Sequence, residues 1–302
     1  MMNSKRIRVI ILALSLILVG AAPALSQGQT IYNTIPKPLP GNLASVGFEA
    51  TSAAEFGDRV AFAGTARNAT TVTVTMSSWG CQAGNWHSAN CVTSPGATFS
   101  HPITLNIFGV GVGNQPGALL ATVTKTFAIP FRPSADAHCT GAQLGEWYDS
   151  SSKTCFNGKA TNINFNLAPL SLVLPNQVIF GVAYNTTHYG AAPIGEGAAC
   201  FGSSGGCGYD SLNVAVTDPA ASLSIGSNPA PDDAYFNTLF AGFYCDSGIG
   251  GVGVFRLDAG CWTGFKPSVR FRATKKSCKQ DKKRCDDDDD RDDNDGRDGD
   301  DR

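Results

Sequence analysis

The sequence predicts an all-β protein, an antiparallel β-sandwich, and three observations predict it. Apolar and polar residues alternate with a period of two in segment after segment, the mark of strands with one buried and one wetted face. Beyond the first residues no window of eleven or more shows the i, i+3, i+4, i+7 apolar face of an amphipathic helix. The 34 glycines and 16 prolines supply turns in place of crossover helices.

Taken in chain order, the alternation places strands near 45–50 and 59–63, then at 71–76, where Val72, Val74 and Met76 face one way and Thr71, Thr73 and Thr75 the other. Ile103, Leu105 and Ile107 mark the next strand, followed by one near 121–127. Ile163, Phe165 and Leu167 form another, and Val178, Phe180, Val182 and Tyr184 the one after it. A strand near 212–216 precedes the last, where Val269, Phe271 and Ala273 alternate with Arg270 and Arg272. About nine or ten such strands fill two packed sheets, for which a jelly roll is one connectivity and a barrel the structural alternative. Four connections, at 80–101, 130–160, 190–210 and 223–266, are too long for hairpins, and loops of that length are usually functional.

The two ends read differently. Residues 1–26 have the form of a signal peptide, with Lys5, Arg6 and Arg8 ahead of an apolar run from Val9 to Leu18 and small residues before a cut at Gln27. That run is short for a bilayer, so no membrane span is expected and the predicted location is secreted, extracellular. From Lys275 the chain has no aromatic or aliphatic residue, which predicts a disordered, charged, Asp-rich tail over 275–302. The domain is therefore 27–274. With the leader's three basic residues and the tail's nine basic and twelve acidic ones set aside, it keeps 11 basic and 13 acidic residues. So neutral a composition offers no basic stripe for nucleic acid.

Ten cysteines, an even number in an exported chain, point to disulfides. They fall into neighbouring pairs: Cys81–Cys91, Cys139–Cys155, Cys200–Cys207, Cys245–Cys261 and Cys278–Cys285. Connectivity stays open at the level of sequence, but this pairing would make the four in the domain local staples on the long loops. The gaps do not match zinc spacing, and no cofactor is expected.

The segments VGFEATSAAEFGDRVAFAG, VTVTMSSWGC, HPITLNIF, VAYNTTHYG, PDDAYFN and LDAGCWTGFKPSVRFRA together resemble a family of secreted bacterial, actinobacterial-type proteins of unknown function. The resemblance spans most of residues 31–274. It implies an extracellular β-sandwich and brings no activity, cofactor or site residue with it.

Chemistry-bearing constellations are sparse. There is no G-x-S-x-G elbow and no H-E-x-x-H pair; His138 near Asp136 and His188 beside Tyr189 are the only histidines with a neighbour of interest. A glycan hydrolase needs two facing carboxylates, and most of the 13 acids fall in turns. Glu55 and Asp58 are candidates for a structural calcium site, since hard cations take oxygen ligands. Aromatics gather in or beside the long loops: Trp79, Trp86, Trp147, Tyr148, Tyr189, Tyr209, Tyr235, Tyr244 and Trp262. Packed against the disulfides they would form small cores; exposed, they would stack on sugar rings. Trp86, Trp147, Tyr148 and Tyr189 are the binding candidates, with Trp86 and Trp147 expected to be exposed. The expected function is a non-catalytic binding or adhesion module for a cell-surface or environmental polysaccharide, a neutral one by composition. A structural protein of the cell envelope or matrix is the alternative, and a glycan-acting hydrolase the third reading.

Overall fold

The computed structural model describes residues 28–84, 86, 88–185 and 211–275. Within them the chain forms β1 (Gln29–Asn33), β2 (Ser45–Gly47), β3 (Ala53–Ala61), β4 (Asn68–Ser78), β5 (Thr98–Val110), β6 (Pro116–Pro130), β7 (Trp147–Asp149), β8 (Thr154–Phe156), β9 (Lys159–Asn166), β10 (Gln177–Ala183), β11 (Leu212–Thr217), β12 (Asp233–Thr238), β13 (Arg256–Ala259), β14 (Lys266–Pro267) and β15 (Val269–Thr274). The longest helix among the described residues is the single turn Pro219–Ser222, and no helix there is long and apolar enough to cross a membrane.

Every strand pair is antiparallel. The first sheet is built around β4, which pairs with β9 from Thr71 to Ser78 along one edge. Its other edge is shared: β15 takes Asn68 to Val74 and β11 takes Met76 to Ser78. β1 flanks β15, while β2 and β14 flank β11. The second sheet runs β13-β12-β3-β10-β5-β6, and β7 with β8 forms a separate small hairpin.

The alternation read from the sequence is what joins the two sheets. Val72, Val74, Met76, Ile163, Phe165, Val269 and Phe271 of the first face Phe56, Val60, Ile103, Leu105, Ile107, Phe180 and Val182 of the second in one buried cluster. Rings meet across the gap, Phe271 with Phe180 at 5.5 Å and Phe165 with Phe127 at 5.1 Å. One ion pair also crosses it. Asp58 on β3 and Lys266 on β14 lie 3.8 Å apart, both buried, with Asn228 donating to Asp58 Oδ2 at 2.7 Å.

Three disulfides close as expected, Cys81–Cys91, Cys139–Cys155 and Cys245–Cys261, with Cα separations of 5.4, 5.9 and 5.7 Å. The pairings Cys200–Cys207 and Cys278–Cys285 lie outside the described residues. Other expectations change. The strand expected at 59–63 starts at Ala53. The stretch 223–266, read as irregular, holds β12 and β13, and the loop 130–160 holds β7 and β8. These strands are short and carry Asp or lie among glycines, so burial by their neighbours, not their own propensity, makes them strands.

Candidate functional site

A shallow, open cleft of about 360 Å³ lies where the end of β4, the β7–β8 hairpin and the segment before β2 converge. Trp79, Phe156, Asn42, Asn157, Gln143 and Glu146 line it, with Leu43, Ala44 and the Cys155 bridge.

Trp79 reaches the cleft because it extends the outward parity of β4, after Thr71, Thr73, Thr75 and Ser77. Its indole Nε1 donates to Ser77 Oγ at 2.9 Å, and Ser77 in turn donates to Asn42 Oδ1 at 2.7 Å. The Asn42 carbonyl is thereby committed inward, and its amide nitrogen lies beside Gly158. Trp86 packs edge-on against Trp79, ring centroids 4.9 Å apart. Gly158 is required at this point: a Cβ there would sit 2.5 Å from Trp79 Nε1 and 2.8 Å from Asn42 Nδ2.

The opposite wall is the hairpin. Trp147 and Phe156 are cross-strand partners, ring centroids 5.4 Å apart. Gly41 lies against both rings, with room for no side chain of its own. Cys139–Cys155 fastens the hairpin to the loop that supplies Gln143 and Glu146. Under that loop lies Arg132, fully buried. Its backbone N–H donates to Gly80 O at 2.9 Å and its Nη2 to Gly145 O at 2.5 Å, tying the exit of β4 to the far wall. Burial holds this guanidinium down at about 10, a shift the nearby Glu146 opposes.

The residues singled out from the sequence separate on inspection. Trp147, expected exposed, is 5% exposed: its indole donates to Gly158 O at 2.6 Å and Lys159 covers its face at 4.7 Å. It supports the hairpin and does not face a ligand. Trp86 is half-buried behind Trp79. Tyr148 stacks on His138 at 4.8 Å, and His138 Nδ1 bonds Asp136 at 2.6 Å, on the exposed side of the hairpin. His138 holds the Asp136 carboxyl below its usual range, through its backbone N–H first and its ring second. Tyr189 and His188 lie outside the described residues.

Glu55 and Asp58 do not share a site, because their parity on β3 sends them to opposite faces of the sheet. Glu55 accepts from Asn106 on the outer face at 2.9 Å. Burial raises its carboxyl, a shift the Asn106 bond opposes. Asp58 points inward, where its oxygens are taken by Lys266, Asn228 and the Arg59 N–H at 2.8 Å. An ammonium group stands there as its cation. Cys245, Cys261 and Asp258 also gather within 4.8 Å, but the two sulfurs are bonded to each other, and Asp258 accepts from Cys245 N at 2.9 Å and Trp262 Nε1 at 2.8 Å.

The cleft therefore combines two aromatic faces, three side-chain amides and one carboxylate on a disulfide-held frame. Of its members the sequence named Trp79, as one aromatic among nine, and Cys155, as half of a disulfide. The signal was the run T-x-T-x-T-x-S-x-W, which keeps Trp79 in register with the outward row of β4. No family model, curated protein or solved structure matches this chain.

Proposed function

We propose that this is an exported, non-catalytic glycan-binding module whose binding site is the Trp79 cleft. The observation that carries the reading is the composition of that cleft. An aromatic face stacks on the C–H surface of a sugar, while fixed amides bind its hydroxyls. Trp79 and Phe156 supply the first, and Asn42, Asn157 and Gln143 the second. The frame is preorganised by Arg132 and two crosslinked loops, which lowers the entropy lost on binding. Disulfides, the basic-apolar leader and the resemblance to exported bacterial proteins support an extracellular setting. Glu146 is the lone carboxylate among the described lining residues, whereas glycoside hydrolysis by two carboxylates takes a facing pair; binding is therefore favoured over hydrolysis.

The test is retention on a panel of insoluble polysaccharides (cellulose, chitin, xylan and a bacterial wall fraction) followed by calorimetry on the retained type. Trp79→Ala is expected to weaken binding about fivefold or more, in line with about 1–3 kcal/mol for loss of one stacking aromatic. No retention on any of them, or an unchanged affinity in Trp79→Ala, rejects the cleft as a glycan site.

A further inference from the structure

Along β9 the outer face of the first sheet presents donors, with the acceptors turned inward. On it, Thr71, Thr73 and Thr75 of β4 lie beside Asn166, Asn164 and Asn162 of β9, and on the other side beside Arg272 and Arg270 of β15. Arg270 Nη2 donates to Thr73 Oγ1 at 3.3 Å, so the Thr73 proton goes to Asn164 Oδ1, 2.7 Å away. Ser268 donates to Thr75 at 3.1 Å, and Thr75 passes its proton to Asn162 Oδ1 at 2.8 Å. Asn166 Oδ1 accepts the Ala168 N–H at 3.2 Å. All three exposed asparagines thus have their carbonyls occupied within the protein and present their –NH₂ groups to solvent. The Trp79–Ser77–Asn42 chain is the same relay at the cleft end of the face.

Charge has the same bias. The seven strands of this sheet contain no Asp or Glu. Arg270 and Arg272 point outward two residues apart, roughly 7 Å along the strand, and neither takes part in a salt bridge among the described residues. The Nε atoms of both are buried without a hydrogen-bond partner there. Like charges side by side over a floor of donors make an anion the complementary occupant. The arginines have no exposed aromatic beside them on β4, β9 or β15 on which a nucleobase would stack. The face runs from Thr71 to Trp79, about 27 Å at strand spacing.

We propose that this face binds an acidic polysaccharide, its carboxylates or sulfates over Arg270 and Arg272 and its chain continuing over the exposed asparagines of β9 toward the Trp79 cleft. The choice of a glycan rests on the function proposed above, whereas the anionic character rests on the face alone. Composition favours a neutral ligand, but composition averages over surfaces, and on this one the charges are all of one sign.

The experiment uses the full chain and two matched pairs of polymers at low salt: polygalacturonate with its methyl ester, and dextran sulfate with dextran. The charged member of at least one pair is expected to bind ten times or more tightly than its neutral partner, and the pair that discriminates tells carboxylate from sulfate. Arg270→Gln/Arg272→Gln is expected to erase that difference. Arg270→Lys/Arg272→Lys, which keeps the charge and loses the planar fork, is expected to retain part of it. Trp79→Ala weakens charged and neutral forms alike. Circular dichroism melts establish that each variant is folded. Charged polymers bound equally well by the glutamine variant, or double-stranded DNA bound as tightly as either, overturn the proposal. Charge discrimination that persists while Trp79→Ala has no effect overturns the cleft and leaves the anionic face standing.

Discussion

At the scale of single residues, the Asp58–Lys266 pair shows how much burial outweighs attraction. Burial pushes the Asp58 carboxyl up to about 7, although Lys266, the Arg59 N–H and Asn228 all pull it down. Lys266 is lowered by the same desolvation despite Asp58 beside it. Both shifts run against a simple salt bridge, the pattern expected where taking two ions out of water costs more than their attraction returns. Asp58 is raised above its unfolded value, so its contribution is fully present below about pH 4 and is lost as pH rises through about 7. Urea midpoints are expected to fall between about pH 4 and pH 7 and to level off above it, and this Asp58 slope should vanish in Asp58→Leu/Lys266→Met. Asp58→Asn alone strands a buried ammonium and is expected to cost about 3–5 kcal/mol, whereas the apolar double variant is expected to be near wild type or above it. A double variant as unstable as Asp58→Asn would show that the pair contributes more than it costs.

Among the elements, the β7–β8 hairpin and the loop before it form the wall of the cleft that depends most on covalent support. Each of these strands has three residues, and two-stranded hairpins are marginal in water. Cys139–Cys155 closes a 16-residue separation, for which the chain-entropy account gives about 3 kcal/mol. Cys139→Ser/Cys155→Ser is therefore expected to lower stability by up to that amount and to open 136–157 to limited proteolysis while the sheets stay protected. Glycan affinity should fall with it, because Gln143 and Glu146 lose their anchor. Proteolysis at wild-type rates would assign the hairpin's order to Trp147 and Arg132 instead. The crosslink itself was legible in the cysteine spacing; the hairpin was not. WYD and TCF are too short to show a period, and what makes them strands is Trp147 packed between Phe156, Gly41 and Lys159, partners that come together only in three dimensions. Asn42, Gln143 and Asn157 were invisible for the same reason. They are ordinary loop amides until β4 brings segments about a hundred residues apart to one rim. The arginine face, by contrast, was present in the alternation of 269–273, but a strand's outward residues acquire meaning only beside the strands that flank it.

For the molecule as a whole, one buried cluster serves both sheets, and Phe271 sits where three other rings meet. It contacts Tyr32 of β1 at 6.5 Å, Phe62 beyond β3 at 5.2 Å and Phe180 of β10 at 5.5 Å. Its neighbours on β15, Arg270 and Arg272, hold the outer face, so this strand links the packing of the sandwich to the proposed anion surface. Phe271→Ala removes a fully buried ring that close-packed neighbours on two sheets cannot easily replace, and is expected to cost about 3–5 kcal/mol. Because the sheets share their core, unfolding should remain a single transition, moved to lower urea with its slope unchanged. The same variant should reduce polyanion binding only in proportion to the unfolded fraction, since the guanidinium groups keep their strand. Two separate transitions, one per sheet, would show that the sheets are stabilised independently and that the cross-sheet rings contribute little. A large loss of polyanion affinity in fully folded Phe271→Ala would mean instead that the arginines are positioned by the core beneath them.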